Sequence, residues 1–215
     1  MLKEISNPNV MLGWELSSYR YSVLLMCNDP NCLETVASCG SGFVVQGFRL
    51  GHGEPDEEFD VFVPEYFFPA LLLFSLPRKC PKTVSEQIRA SFKLFFADPP
   101  ASANYVRKAV EEILTDRGIK RFMINKKKNR REKISLHDRI VEFQNRNPEN
   151  ADKLLALKWL GNEGSHTNKI SKNDILDAYE ILEIVIDDLY AGNRALIDKK
   201  IARINKSKGP LHPST

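Results

Sequence analysis

Leu157-Lys158-Trp159-Leu160-Gly161-Asn162-Glu163-Gly164-Ser165-His166 is the stretch on which the reading of this chain turns. Helical periodicity enters it from one side and resumes on the other. Each of its glycines weakens an α-helix by about 1 kcal/mol relative to alanine, so something other than helix propensity holds them there. Two readings stand. If the helix runs through, Lys158, Asn162 and His166, four residues apart, share one face with a drift of only ~80°. A lysine, an amide and an imidazole on one face can hold a phosphate or move a proton. If the helix stops, Gly161 or Gly164 is the C′ glycine, and His166 is an exposed residue near the negative end of the dipole. Leu157, Trp159 and Leu160 read as buried in both cases.

Working outward, the second half of the chain is helical. Thr83-x-x-Glu86 has the form of a capping box, with Ile88, Phe92 and Phe95 as the apolar face that follows it. Pro99-Pro100 is expected to end that helix. Ser102 is expected to cap the next, in which Tyr105, Val106, Ala109, Val110, Ile113 and Leu114 are buried and Gly118 is the stop. Arg107 and Glu111 form an i, i+4 pair on its polar face. Ser135-x-x-Asp138 is a second capping box. Leu136, Ile140 and Phe143 form its face, while His137 and Arg139 point elsewhere. Asn147-Pro148 reads as an N-cap with proline at N1. Ser171-x-x-Asp174 caps the longest helix, and a last amphipathic stretch contains Ala195, Leu196, Ile201 and Ile204.

Between these helices lies a basic window. Residues 120–133 hold eight Lys or Arg against Glu132, a net +7 in a chain whose formal total is +3, so the remainder is mildly acidic at −4. A loop of this charge can contact phosphates with salt-dependent affinity, or stand as a solvated connector. Lys126, Lys127, Lys128, Arg130 and Arg131 are the candidate nucleic-acid contacts. Only Phe122 lies near them for base stacking, which argues against dedicated single-strand binding by this window.

The first third is β-like. Trp14 to Met26, Thr35 to Ser38, Gly42 to Phe48 and Phe59 to Val63 read as strands, with Cys27-Asn-Asp-Pro-Asn-Cys32 as a turn and residues 51–58 as an acidic loop. Cys27 and Cys32 suggest half of a zinc ribbon. A tetrahedron would need Cys39 plus His52 or Cys80, and the alternative is a turn holding free cysteines. Val61 to Pro81 is apolar, aromatic and proline-rich, and reads as an extended connector.

At 215 residues, 42% apolar and 27% charged, the chain can bury a real core. No signal peptide is visible at Met1-Leu2-Lys3-Glu4, and the most apolar run is broken by Pro64, Glu65 and Pro69. A cytoplasmic protein with reduced thiols and no membrane contact is therefore expected. The organisation read from the sequence is α+β. A small antiparallel β region spans 1–63, a connector 64–82, a helical bundle 83–208 and a tail 209–215.

The order Phe92-Lys-Leu-Phe-Phe96, Arg107-Lys-Ala-Val-Glu111-Glu-Ile-Leu114, Leu136-His-Asp-Arg139-Ile140 and then Leu157 to His166 resembles the bacterial domain-of-unknown-function family forty-one forty-five, of the HEPN superfamily. The resemblance covers roughly residues 60–190, and the cysteine-containing start resembles that family's N-terminal part with one ligand pair missing. It implies a HEPN-like helical bundle, often dimeric, of the kind found in toxin–antitoxin, restriction and anti-phage systems. Active members are metal-independent ribonucleases with an Arg, a polar residue and a His; no cofactor is implied. Asn162 then matches the polar position and His166 the histidine, while the arginine position falls on Gly161. Lys158 or Arg107 would have to supply the cation, with Glu111 and Glu163 in support. The function expected is thus a non-catalytic binding or assembly module of a defence system. It would form a homodimer through the helices around Trp159 and Tyr179. It would contact RNA or a protein partner through the Lys158–His166 surface and the basic window. The alternative is a ribonuclease using His166, Asn162 and a substitute cation.

Overall fold

The computed structural model describes residues 10–49, 55–125, 129–166 and 170–209. It divides into two compact units, residues 1–71 and 72–215.

The first unit is a three-stranded antiparallel sheet, β1 (Val10–Met26), β2 (Thr35–Arg49) and β3 (Pro55–Phe68), with β2 in the centre. The two short strands expected between Thr35 and Phe48 are one strand. Cys39-Gly40-Ser41-Gly42, expected to separate them, lies within it. The reason is visible at Gly42, which pairs with Tyr19 and Phe62. A Cβ on Gly42 would come within 2.5 Å of the Tyr19 ring, so the glycine makes room for an aromatic lying across the sheet. Phe62 meets Tyr19 and Tyr21 edge-on at 6.1 and 5.0 Å. β3 also runs past Val63 to Phe68, further than the sequence suggests. Pro64 is tolerated because β3 is an edge strand, and the register shifts beside it at Gly40.

The second unit is helical: α1 (Lys82–Leu94), α2 (Pro99–Asp116), α3 (Leu136–Gln144), α4 (Pro148–His166), α5 (Lys172–Ile186) and α6 (Asn193–Ser207). A π turn (Asp187–Ala191) joins α5 to α6, and a hairpin of β4 (Phe122–Asn125) and β5 (Arg130–Lys133) stands between α2 and α3. The α+β class read from the sequence is the observed one.

Several terminus signals are used differently from their sequence form. Thr83 lies inside α1, whose N-cap is Pro81 with no side-chain hydrogen bond, so the Thr83–Glu86 box is not formed. Pro99 and Pro100 open α2, capped by Asp98, whose carboxylate accepts from the Ala101 N–H at 2.9 Å. Ser102 is therefore inside the helix, and it is buried. There the hydroxyls of Ser91, Ser102 and Tyr179 share hydrogen bonds of 2.8–2.9 Å, which satisfies three buried polar groups at once. Tyr179 also packs against Phe74, Phe92 and Phe95. The Ser171 cap and the Gly118 stop, at φ +78°, form as the sequence reads, while Ser135 caps α3 by accepting from the Asp138 N–H at 3.1 Å without the reciprocal bond of a capping box.

Arg139 does not point outward. It is 1% exposed, and its guanidinium donates to the carbonyls of Glu111 and Ile119 at 3.2 Å and to Thr115 Oγ1 at 2.8 Å. A cation near the C-terminal end of α2 meets the negative end of its dipole, which offsets part of the cost of burial. Burial still pulls the Arg139 pKa down, with Arg121 adding to the effect and Glu111, Glu112 and Glu142 opposing it.

Candidate nucleic-acid interface

The stretch that divided the sequence reading is helix throughout: α4 passes Gly161 and Gly164 and reaches His166. The helix-stop reading is therefore overturned at both glycines. Gly161 serves packing. A Cβ there would lie 2.7 Å from Arg107 Cβ and 3.2 Å from the Ala103 carbonyl, so α4 crosses α2 with its backbone against the other helix. The motif arginine of the resembling family has no room at this position. Arg107 instead approaches from α2, its guanidinium 4.0 Å from Glu111.

The helix orients the rest of the stretch. Asn150, Ala151, Leu154, Leu157, Lys158 and Gly161 are buried, an arc set by the 3.6-residue period. Lys158 sits at the edge of that arc, and its ammonium lies 3.4 Å from the Trp159 ring centroid, a cation–π contact. Asn162 is half-buried and Glu163 exposed. His166 closes α4, two turns beyond Trp159, and its side chain lies outside the described residues. Trp159, expected in the core, is 54% exposed. The signal was in the spacing: it stands roughly 140° around the helix from Leu154, off the buried arc. Its ring faces that of His137 on α3, with centroids 6.5 Å apart, and Val141, one turn on from His137, is exposed as well.

The basic window, expected to be a loop, is a β-hairpin whose cations split into two groups. At the root, Arg121 ion-pairs with Glu112 and donates from Nε to Thr115 Oγ1 at 2.8 Å, and Lys133 reaches Glu111 at 3.8 Å. These moor the hairpin to α2. Further out, Arg130 donates to Glu132 at 2.9 Å, and the Arg131 guanidinium covers the Phe122 ring at 3.9 Å. Register puts Phe122, Ile124, Arg131 and Lys133 on one side of the ribbon, with Phe122 and Ile124 exposed. Lys126, Lys127 and Lys128 lie outside the described residues. Only Ile134 and Ser135 separate the hairpin from α3, so the backbone of His137 is within about 14 Å of that of Lys133. The exposed imidazole and indole are therefore neighbours on the surface, and the cationic ribbon precedes α3 by two residues of chain.

Cys27 and Cys32 flank the β1–β2 turn as exposed free thiols, and Cys39 is exposed on β2. Among the described residues, no cluster of three or more His, Cys, Asp or Glu is placed to hold a metal ion. No described helix is long and apolar enough to cross a membrane.

A family profile described as a domain of unknown function, DUF4145, matches residues 89–207. Comparison with curated proteins and with solved structures gives no match.

Proposed function

We propose that this chain, which belongs to the DUF4145 family, is a non-catalytic binding module that holds single-stranded RNA along the strip from the β4–β5 hairpin to the exposed face of α4. The observation that carries the reading is that Arg131, on the Phe122 side of the hairpin, His137 and Trp159 are all exposed, with Arg130 on the ribbon's other side. Phosphates need cations and unstacked bases need aromatic faces, and single-strand binders combine the two. The ion pair on Arg130 does not count against this. Exposed pairs are worth about 0–1 kcal/mol, so a phosphate can displace the carboxylate. The root cations Arg121 and Lys133 act as moorings in this account. Placement in a defence or toxin–antitoxin system rests on the family resemblance alone.

Fluorescence anisotropy with a labelled single-stranded RNA at low salt tests the proposal. Trp159→Ala should weaken binding roughly tenfold, since one stacked base contributes about 1–3 kcal/mol. The labelled RNA should be recovered intact. Failure of the wild-type protein to bind, or binding indifferent to Trp159 and to Arg130/Arg131, rejects it.

One observation favours the ribonuclease alternative: Arg107 abuts the position the motif arginine would hold, so a cation could reach the same region from α2. RNA cleavage that persists in EDTA and disappears in both His166→Ala and Arg107→Ala would establish that reading instead.

A further inference from the structure

Of the two residues that mark the helices of the expected dimer, Trp159 is exposed and Tyr179 is sealed in the core. A different pair of surfaces in the same unit is unpartnered and complementary. On α6, Ile197, Ile201 and Ile204 are all exposed and fall at i, i+4 and i+7, a single apolar stripe. Lys200 flanks it, while Lys199, Arg203 and Lys206 are exposed roughly 120–180° around the helix from the stripe. On α5, Leu176 and Ile184 are exposed at i and i+8, with exposed Glu180 between them in the same row and exposed Asp177 and Asp187 alongside. Among the described residues, none of those three carboxylates is ion-paired. The apolar stripe of α6 is roughly 10 Å long and the α5 row roughly 12 Å. Lys200 gives the α6 surface a cationic edge, and the α5 surface is acidic.

α6 does not use this match within its own chain. Among the described residues it packs only against the π turn that precedes it. That turn is pinned on three sides: Arg117 Nη2 donates to the Leu189 carbonyl at 2.7 Å, Tyr190 donates to Asp116 at 2.9 Å, and Lys153 lies 3.4 Å from Asp188. Gly192, at φ +73°, then sends α6 off from a fixed base. We infer that the occupant is a second copy of this chain: α6 of each protomer seats its isoleucine stripe on the Leu176–Glu180–Ile184 row of the other. Such a reciprocal contact closes under two-fold symmetry and forms a dimer, with each Glu180 facing a cation such as Lys200.

Sedimentation equilibrium of the full chain tests this. The wild-type protein should dimerise, and more weakly as salt rises. Ile197→Asp with Ile201→Asp should leave a monomer whose circular dichroism shows the helical body intact, since both side chains are exposed. Glu180→Lys alone and Lys200→Glu alone should each weaken the dimer roughly tenfold or more, and the two together should recover much of the loss. The inference is overturned by a wild-type monomer at every concentration, by a dimer that survives the Ile197→Asp/Ile201→Asp change, or by single charge reversals with no effect. Protection of α6 amides from exchange in a monomer would show that it closes on its own chain. Binding of α6 to phosphatidylserine vesicles, unchanged by Glu180→Lys, would make it a lipid-facing helix instead.

Discussion

The sheet of residues 10–68 and the helical body of residues 72–209 use apolar residues in opposite ways. In the body, Ile88, Ile113, Leu114, Leu154, Leu157, Ile175, Leu182 and Ile186 are fully buried, and most polar groups among them are partnered: Tyr179 by Ser91 and Ser102, Arg139 Nη2 by Glu111, Thr115 and Ile119, while Arg139 Nε has no hydrogen-bond partner among the described residues. In the sheet, Leu24 and Phe68 are 76% and 80% exposed, and Met26, Leu33 and Tyr66 are exposed as well. Three strands make one layer, and one layer cannot enclose its own apolar face. The family match follows the same division, falling at 89–207 within the body. A buried side chain in the body is therefore held by its neighbours, whereas an exposed apolar side chain on the sheet such as Leu24 has little to lose by substitution; Val45, at 3% exposure, is buried there.

The comparison can be broken most directly at Leu154. Leu154→Ala should cost about 2–5 kcal/mol in chemical denaturation, because a fully buried leucine leaves a cavity in a close-packed core. A loss below 1 kcal/mol would mean the body is not packed as described. Gly161→Ala comes next. The roughly 1 kcal/mol of helix propensity gained should be outweighed by about 1–3 kcal/mol of overpacking against Arg107 and Ala103, so the variant should melt lower. A higher melting temperature would remove the close α2–α4 crossing. Leu24→Ser should change stability by no more than about 0.5 kcal/mol, and a large loss would show that the sheet is covered. The thiols sharpen the contrast without a free-energy change. Burial, with Asp116 adding to it and Arg89 opposing, pushes the Cys80 thiol up to about 11. At pH 8, iodoacetamide should therefore modify the exposed Cys27, Cys32 and Cys39 well before Cys80, as followed by peptide mass spectrometry.

What was legible in the sequence was periodic and local. The Ser135 and Ser171 caps, the Gly118 stop and the apolar faces of α2 and α5 obey rules that involve a few neighbouring residues. What was not legible depended on a distant partner. Gly161 read as a helix breaker because Arg107, more than fifty residues earlier, is invisible from its neighbours. Arg139 read as a surface cation because the carbonyls it serves end another helix. The basic window read as a loop because four-residue strands carry little pattern, and its ladder is seen only when Phe122 is paired with Lys133. For the candidate site, Arg130 and Arg131 stood out by charge. Trp159 reads as core by residue type, an indole beside two leucines, whereas its angle around the helix takes it off the buried arc.

The salt dependence of RNA binding tests the central claim most directly. For wild-type protein, log K should fall linearly with log salt concentration, by about 0.7 for each phosphate contact on a single strand. In Arg130→Ala/Arg131→Ala the slope should become shallower by about 1–2, while Trp159→Ala should weaken binding with the slope unchanged. A slope identical in the arginine variant and the wild type would contradict the account, because the hairpin would then carry charge without touching the nucleic acid.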